Sequence, residues 1–237
     1  MQKIVNSLQK EMRIFWFAML PALVMCSSPQ PKEQPMPRSY KKFKYLALGD
    51  SYTIGESVPE KGRWPVQLAD SLGIKEVRII AETGWTTDEL DSAIRAEQKS
   101  LAPPYDLVSL LIGVNNQYRG YHFSRFEKEF TELLKKAISL AGNDTANVFV
   151  LSIPDYGVTP FANDKNPEKI AGEIARYNAT KKKITNSLGV SFCDITPISK
   201  KAANDSSLLA EDQLHPSAIM YSEWVNLVKK QMKEPKP

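Results

Sequence analysis

Two cysteines and two histidines are all that this chain of 237 residues offers for thiolate or imidazole chemistry. Cys26 and Cys193 cannot build a disulfide scaffold, and with His122 and His215 they cannot supply a Cys/His zinc site, since no CxxC or HExxH spacing occurs. The glycine patterns of nucleotide sites, GxxxxGK[ST] and GxGxxG, are missing, and so is the GxSxG elbow of α/β hydrolases. No long apolar stretch spans a bilayer: the run at 14–25 has twelve residues, where a spanning helix needs about 20. An excess of positive charge on the folded part is lacking too. The net charge is +4, but Lys3, Lys10 and Arg13, then Lys32, Arg38, Lys41, Lys42 and Lys44, outweigh that sum, so the chain beyond residue 44 is slightly acidic. A nucleic-acid partner is therefore not expected.

The first residues read as a targeting segment. Basic residues precede the apolar run, which matches the n- and h-regions of a signal peptide over 1–25. It ends at Leu23-Val24-Met25-Cys26, similar to a bacterial lipobox in which the cysteine is lipidated, although Met25 stands where a small residue is usual. Residues 26–43 are polar and hold Pro29, Pro31, Pro35 and Pro37, which suits an extended tether. The expectation is export, with a lipid anchor on Cys26 holding the protein to a membrane; the alternative is a secreted protein with an incidental cysteine.

From residue 44 the sequence alternates. Short apolar runs at 45–48, 77–81, 107–112, 148–153 and 190–195 read as buried strands. Between them lie helical patterns. Trp64, Leu68, Ala69 and Leu72 share a face behind Pro65, and Thr86-x-x-Glu89 is a capping box ahead of Leu90, Ala93, Ile94 and Leu101. Phe123 to Ile138 forms a long amphipathic helix, and Ile170, Ala171, Ile174, Ile184 and Leu188 mark another. A last helix is expected to start at Pro216, with Tyr221, Trp224, Val225 and Val228 inward. This alternation predicts one α/β domain over 44–237, a three-layer α/β/α sandwich on a five-stranded parallel sheet. In such sheets ligands sit beyond the carboxyl ends of the strands.

Several polar groups fall at those ends. Ser51 follows the first strand in Gly49-Asp50-Ser51, a position that suits a helix cap or a nucleophile. Asp212 lies three residues before His215, close enough to hold the ring in one tautomer and leave Nε2 as a base; the other reading is a surface histidine near a helix start. Asn115 in Gly113-Val114-Asn115-Asn116 offers amide donors, and Gly84 permits close approach of a backbone N–H, although each would also serve in an ordinary turn.

Together these residues resemble the SGNH/GDSL hydrolase family over roughly 44–230. Gly49-Asp50-Ser51 is similar to its first block, Gly84 to its second, Gly113-x-Asn115 to its third and Asp212-x-x-His215 to its fifth. The resemblance implies a flavodoxin-like fold and a cofactor-free serine esterase. In it Ser51 is the nucleophile, His215 the base and Asp212 its partner, with an oxyanion hole of the Ser51 N–H, the Gly84 N–H and Asn115. Asn116 stands where the family often has Asp, which bears on the hydrogen bonds behind the hole.

Tyr52, Trp85, Tyr118, Arg119, Tyr121, Tyr156 and Phe161 are candidates for the substrate pocket. Aromatic rings suit a short acyl group or an acylated carbohydrate, and Arg119 suits a phosphate or carboxylate, as in a lysophospholipid. A noncatalytic module that binds an acylated glycan or lipid, and an O-acyltransferase, remain alternatives. His122 is expected at the surface or rim and Cys193 in the core. Lys181-Lys182-Lys183 reads as a solvated helix face.

Overall fold

The computed structural model describes residues 43–233. The leader, Cys26 and the tether lie outside the described residues.

The apolar runs pair into one parallel sheet. In chain order its strands are β1 (Lys44–Gly49), β2 (Glu76–Ala81), β3 (Leu107–Leu111), β4 (Val148–Leu151) and β5 (Ser191–Cys193). Their spatial order is β2-β1-β3-β4-β5, the flavodoxin-like arrangement that the resemblance implied. β1 lies between β2 and β3, in register Tyr45↔Val77 and Tyr45↔Leu107. Helices cover both faces, so the central strands β1, β3 and β4 are buried almost throughout and show no alternation.

The helices are α1 (Ser51–Ile54), α2 (Trp64–Leu72), α3 (Thr87–Ala96), α4 (Val114–Tyr118), α5 (Phe123–Leu140), α6 (Pro167–Ser187), α7 (Thr196–Ser199) and α8 (Ala218–Lys233). α2 packs on α8, while α5 packs on both α3 and α6, which gives the two outer layers. Right-handed crossovers require this division, because β1 leads to β2 on one side and the chain then returns past β1 to β3. The reversal opens a crevice at the carboxyl ends of β1 and β3, where a ligand is expected.

Local signals set most helix ends. Pro65 sits in the first turn of α2 and Gly73 closes it in the left-handed region. Thr86 and Glu89 form the expected capping box of α3. Phe126, Phe130, Leu133, Leu134 and Ala137 bury one face of α5.

Three expectations change. Pro216 does not start the last helix: it pairs with Leu209 in an isolated antiparallel bridge, and α8 begins at Ala218 behind Ser217. Leu101 lies beyond the end of α3, though it still packs against the core. Lys181 is not on a solvated face. It is fully buried on α6, in the same stripe as Ile170, Ile174, Tyr177 and Thr185. Cys193 is a core thiol, and burial pushes its pKa up to about 12; His122 is exposed.

Candidate active site

The crevice is built from four loops at one edge of the sheet. The first follows β1. Gly49 must be a glycine here, because a Cβ would fall 2.5 Å from the Leu111 carbonyl oxygen and closer still to Thr53. Asp50 then caps α1, accepting the Tyr52 N–H through Oδ1 at 3.1 Å. Ser51, the first residue of α1, is thereby held at the strand end, 5% exposed. Asp50 Oδ2 is buried with no hydrogen-bond partner. Burial pushes the pKa of this carboxyl up to about 7, opposed by the Tyr52 N–H and the charge of Lys181.

The second loop, 208–217, is a self-contained clip. The Ala210 N–H donates to the His215 carbonyl at 2.8 Å and the Ser217 N–H to that of Leu208 at 2.8 Å. Gln213 takes a left-handed φ of 58° at the turn. Asp212 Oδ1 accepts the N–H groups of Leu214 and His215 at 3.0 and 2.9 Å, which leaves Oδ2 to face the His215 ring. Nδ1 of His215 lies 2.7 Å from Oδ2. Ser57, which follows α1 at a φ of 63°, donates to the same oxygen at 2.6 Å. Partial burial works to raise the pKa of Asp212, but the hydrogen bonds from Ser57, His215 and Leu214 prevail and hold it at about 2. The ring also packs edge-on against Tyr52, with centroids 5.5 Å apart.

Ser51 and His215 face one cavity. Among the described residues no hydrogen bond joins them. Asp212 orients the ring so that Nδ1–H meets the carboxylate, which leaves Nε2 able to accept a proton.

The other two loops complete the lining. Gly84, with φ of 89°, and Asn115, on α4, both line it. One hydrogen of Asn115 Nδ2 goes to the Trp85 carbonyl at 2.9 Å, and the other remains for a ligand. Asn116 answers the question its departure from the family pattern raised. Its Oδ1 accepts the Thr87 N–H at 3.1 Å, and its Nδ2 donates to Thr87 Oγ1 at 2.7 Å. The Thr87 hydroxyl spends its own proton on Glu129, so a donor amide suits this place and ties the loop after β3 to the loop after β2.

The cavity measures about 140 Å³, and its walls are mostly apolar, formed by Tyr52, Val114, Tyr118, Tyr156, Phe161 and Leu214. Tyr118, Tyr156 and Phe161 stand as a group, with ring centroids 6.1 to 6.3 Å apart. Trp85 and Arg119 are not on the wall. Trp85 borders a separate shallow depression with Asp88 and Glu89, and the Arg119 guanidinium is bonded to Gly84 and Glu89. Tyr121 lies away from the cavity, under the guanidinium of Arg125 at 4.9 Å. Among the described residues no group of three or more His, Cys, Asp or Glu side chains is gathered to hold a metal ion.

Lys181 is the residue that sequence reasoning missed. Its Nζ donates to the carbonyls of Ile112 at 3.0 Å and Leu151 at 2.9 Å, at the carboxyl ends of β3 and β4. Burial pulls its pKa down to about 7, and the Asp50 charge acts the other way. A signal was present: Ile170, Ile174, Tyr177 and Lys181 follow the helical spacing of a buried face.

A model of the GDSL-like Lipase/Acylhydrolase family matches residues 47–222. An arylesterase of Vibrio mimicus is 31% identical over 119 residues, 48% of this chain; the match spans 58% of that protein's length. Among solved structures, a member of the lipolytic protein G-D-S-L family from Veillonella parvula aligns with a TM-score of 0.61 at 17% identity, covering 81% of this chain and 99% of that one. An acetylxylan esterase of Geobacillus stearothermophilus aligns with a TM-score of 0.59 at 19% identity, covering 81% and 95%. At these identities the solved structures speak for the fold.

Proposed function

Because the chain belongs to the GDSL-like lipase/acylhydrolase family, we propose that it is a serine esterase working through Ser51, His215 and Asp212. The observation that carries this reading is the His215–Asp212 pair on the same cavity as Ser51, which Gly84 and Asn115 also line. As Ser51 Oγ attacks an ester carbonyl, His215 Nε2 takes its proton. The bond to the alcohol then breaks and His215 returns the proton to the leaving oxygen. Water resolves the acyl-enzyme by the same steps reversed. Asp212, ionised down to about pH 2, stabilises the imidazolium. The Ser51 and Gly84 N–H groups and the spare hydrogen of Asn115 Nδ2 receive the charge on the carbonyl oxygen.

The substrate we infer is a small ester with an apolar or aromatic part. The cavity is small and lined by aromatic rings, and the partly matching Vibrio mimicus protein is an arylesterase. Anionic headgroups, as in a lysophospholipid, are less well served, since Arg119 is engaged elsewhere. A p-nitrophenyl ester series on the purified protein tests this, with activity expected to be highest for acetyl to butyryl chains and to vanish in Ser51→Ala. Absence of hydrolysis in wild type would leave the noncatalytic glycan- or lipid-binding alternative, and product esters formed with added alcohols would favour the acyltransferase.

Anchoring is proposed on the sequence alone. Lipidation of Cys26 would hold the enzyme at a membrane through the Pro-rich tether. Cys26→Ser should then release it from the membrane fraction or block its processing, whereas a wild-type protein found soluble and cleaved elsewhere would refute it.

A further inference from the structure

We propose that Arg119 is the positioning residue of the oxyanion hole, acting on the Gly84 peptide rather than on substrate. The inference rests on the esterase reading above. Arg119 closes α4, the short helix that carries Asn115. Its Nη2 donates to the Gly84 carbonyl at 2.6 Å, and its Nη1 to both carboxylate oxygens of Glu89 at 3.1 and 3.3 Å. Glu89 in turn accepts the Thr86 N–H at 2.8 Å as part of the α3 capping box. With the bond from Asn115 Nδ2 to the Trp85 carbonyl, three successive residues of one loop are fixed. Two of those ties come from α4 itself.

The need for such a clamp follows from Gly84. At φ of 89° it sits where a glycine is easily placed but also easily moved, since glycine visits both signs of φ at similar cost. Its N–H is useful to a developing oxyanion only if its direction is set before the charge appears. The Gly84 carbonyl lies in the Gly84–Trp85 peptide and the N–H in the Thr83–Gly84 peptide, so holding the carbonyl fixes the far side of Gly84 and narrows the backbone rotations by which its N–H can turn away. Because Asn115 lies on α4 and Arg119 caps it, the Gly84 carbonyl and the Trp85 carbonyl are both held from the element that carries the Asn115 amide. Arg119 is absent from the cavity wall, so its charge has no direct route to a neutral substrate. An exposed Arg–Glu pair contributes little by itself; here the partner that matters is the carbonyl.

The test compares wild type, Arg119→Ala and Arg119→Lys on p-nitrophenyl acetate, with a boronic acid as a tetrahedral mimic. Arg119→Ala should lower kcat about ten- to a hundredfold, less than deleting a donor outright, with KM within about twofold. The boronic acid should weaken by a similar factor. Arg119→Lys, which keeps one cationic donor, and guanidinium added to Arg119→Ala should each restore part of kcat. A second measurement needs no turnover: the Gly84 amide order parameter by NMR should fall from about 0.85 to below about 0.6 in Arg119→Ala. An unchanged kcat and a rigid Gly84 amide in an active enzyme overturn this proposal alone, as does a rise in KM at constant kcat. No esterase activity in wild type, or full activity in Ser51→Ala, overturns the esterase reading and this proposal with it.

Discussion

Asp212→Asn separates a working triad from a look-alike, because the carboxylate is used on both sides. Oδ1 serves two backbone N–H groups of the clip, and Oδ2 faces His215 Nδ1 and the Ser57 hydroxyl. An asparagine must keep its oxygen toward the two N–H groups, or leave both without an acceptor. Its NH2 then points at His215 Nδ1, which can only accept. The ring is driven to the tautomer with hydrogen on Nε2, and that nitrogen no longer takes the Ser51 proton. The loss expected is about 10⁴-fold in kcat, the scale known for this change in a serine protease triad, or about 5 kcal/mol of barrier. The assay is kcat and KM on p-nitrophenyl acetate, with thermal unfolding measured alongside. The stability effect has its own signature. The folded pKa of Asp212 is lowered from 3.8 to about 2, so its contribution is full above pH 3.8 and is lost as pH falls to about 2. The gap in Tm between wild type and variant should therefore close across that window. A variant that folds and keeps more than a tenth of the wild-type kcat would refute the reasoning that Asp212 sets the tautomer.

Other substitutions test the remaining parts. Ser51→Ala should fold normally, lose at least about 10³-fold in kcat and no longer react with a fluorophosphonate; labelling that persists would point to another nucleophile. Asn115→Ala should lower kcat about 10²- to 10³-fold with KM little changed, and a large KM effect at constant kcat would move Asn115 to ground-state binding. Lys181→Met leaves the Ile112 and Leu151 carbonyls without their donor and should cost about 3 kcal/mol, roughly 6–12 °C in Tm. Because burial lowers the Lys181 pKa from 10.5 to about 7, its contribution to wild-type stability is full above 10.5 and lost as pH falls through 7. Wild type should gain stability between pH 7 and 10.5 relative to Lys181→Met, and parallel curves would show that the ammonium is not desolvated.

The sequence by itself determined whatever depends on neighbours within a turn or two. The apolar runs marked the five strands, and Thr86 with Glu89 marked the start of α3. Asp212 reaches His215 over three residues, so that pair was legible before any fold was known. Strand limits were less legible, since Ile112, Ile153 and Ile195 are buried beyond the ends of pairing and an apolar run reports burial, not hydrogen bonds. What the loops do to one another was decided only in three dimensions. Ser57 meets Asp212 across 155 residues, and Asn116 meets Thr87 across 29. Arg119 looked like a free cation for an anionic substrate until Gly84 and Glu89 were seen to occupy it. Lys181 looked solvated because lysine usually is, and only the sheet shows two strand-end carbonyls waiting for a donor in the core. Helical and strand periodicity are short-range properties of the chain. The strand order β2-β1-β3-β4-β5 is not, and it is that order which brings distant loops to a single edge and fixes which polar groups must satisfy each other there.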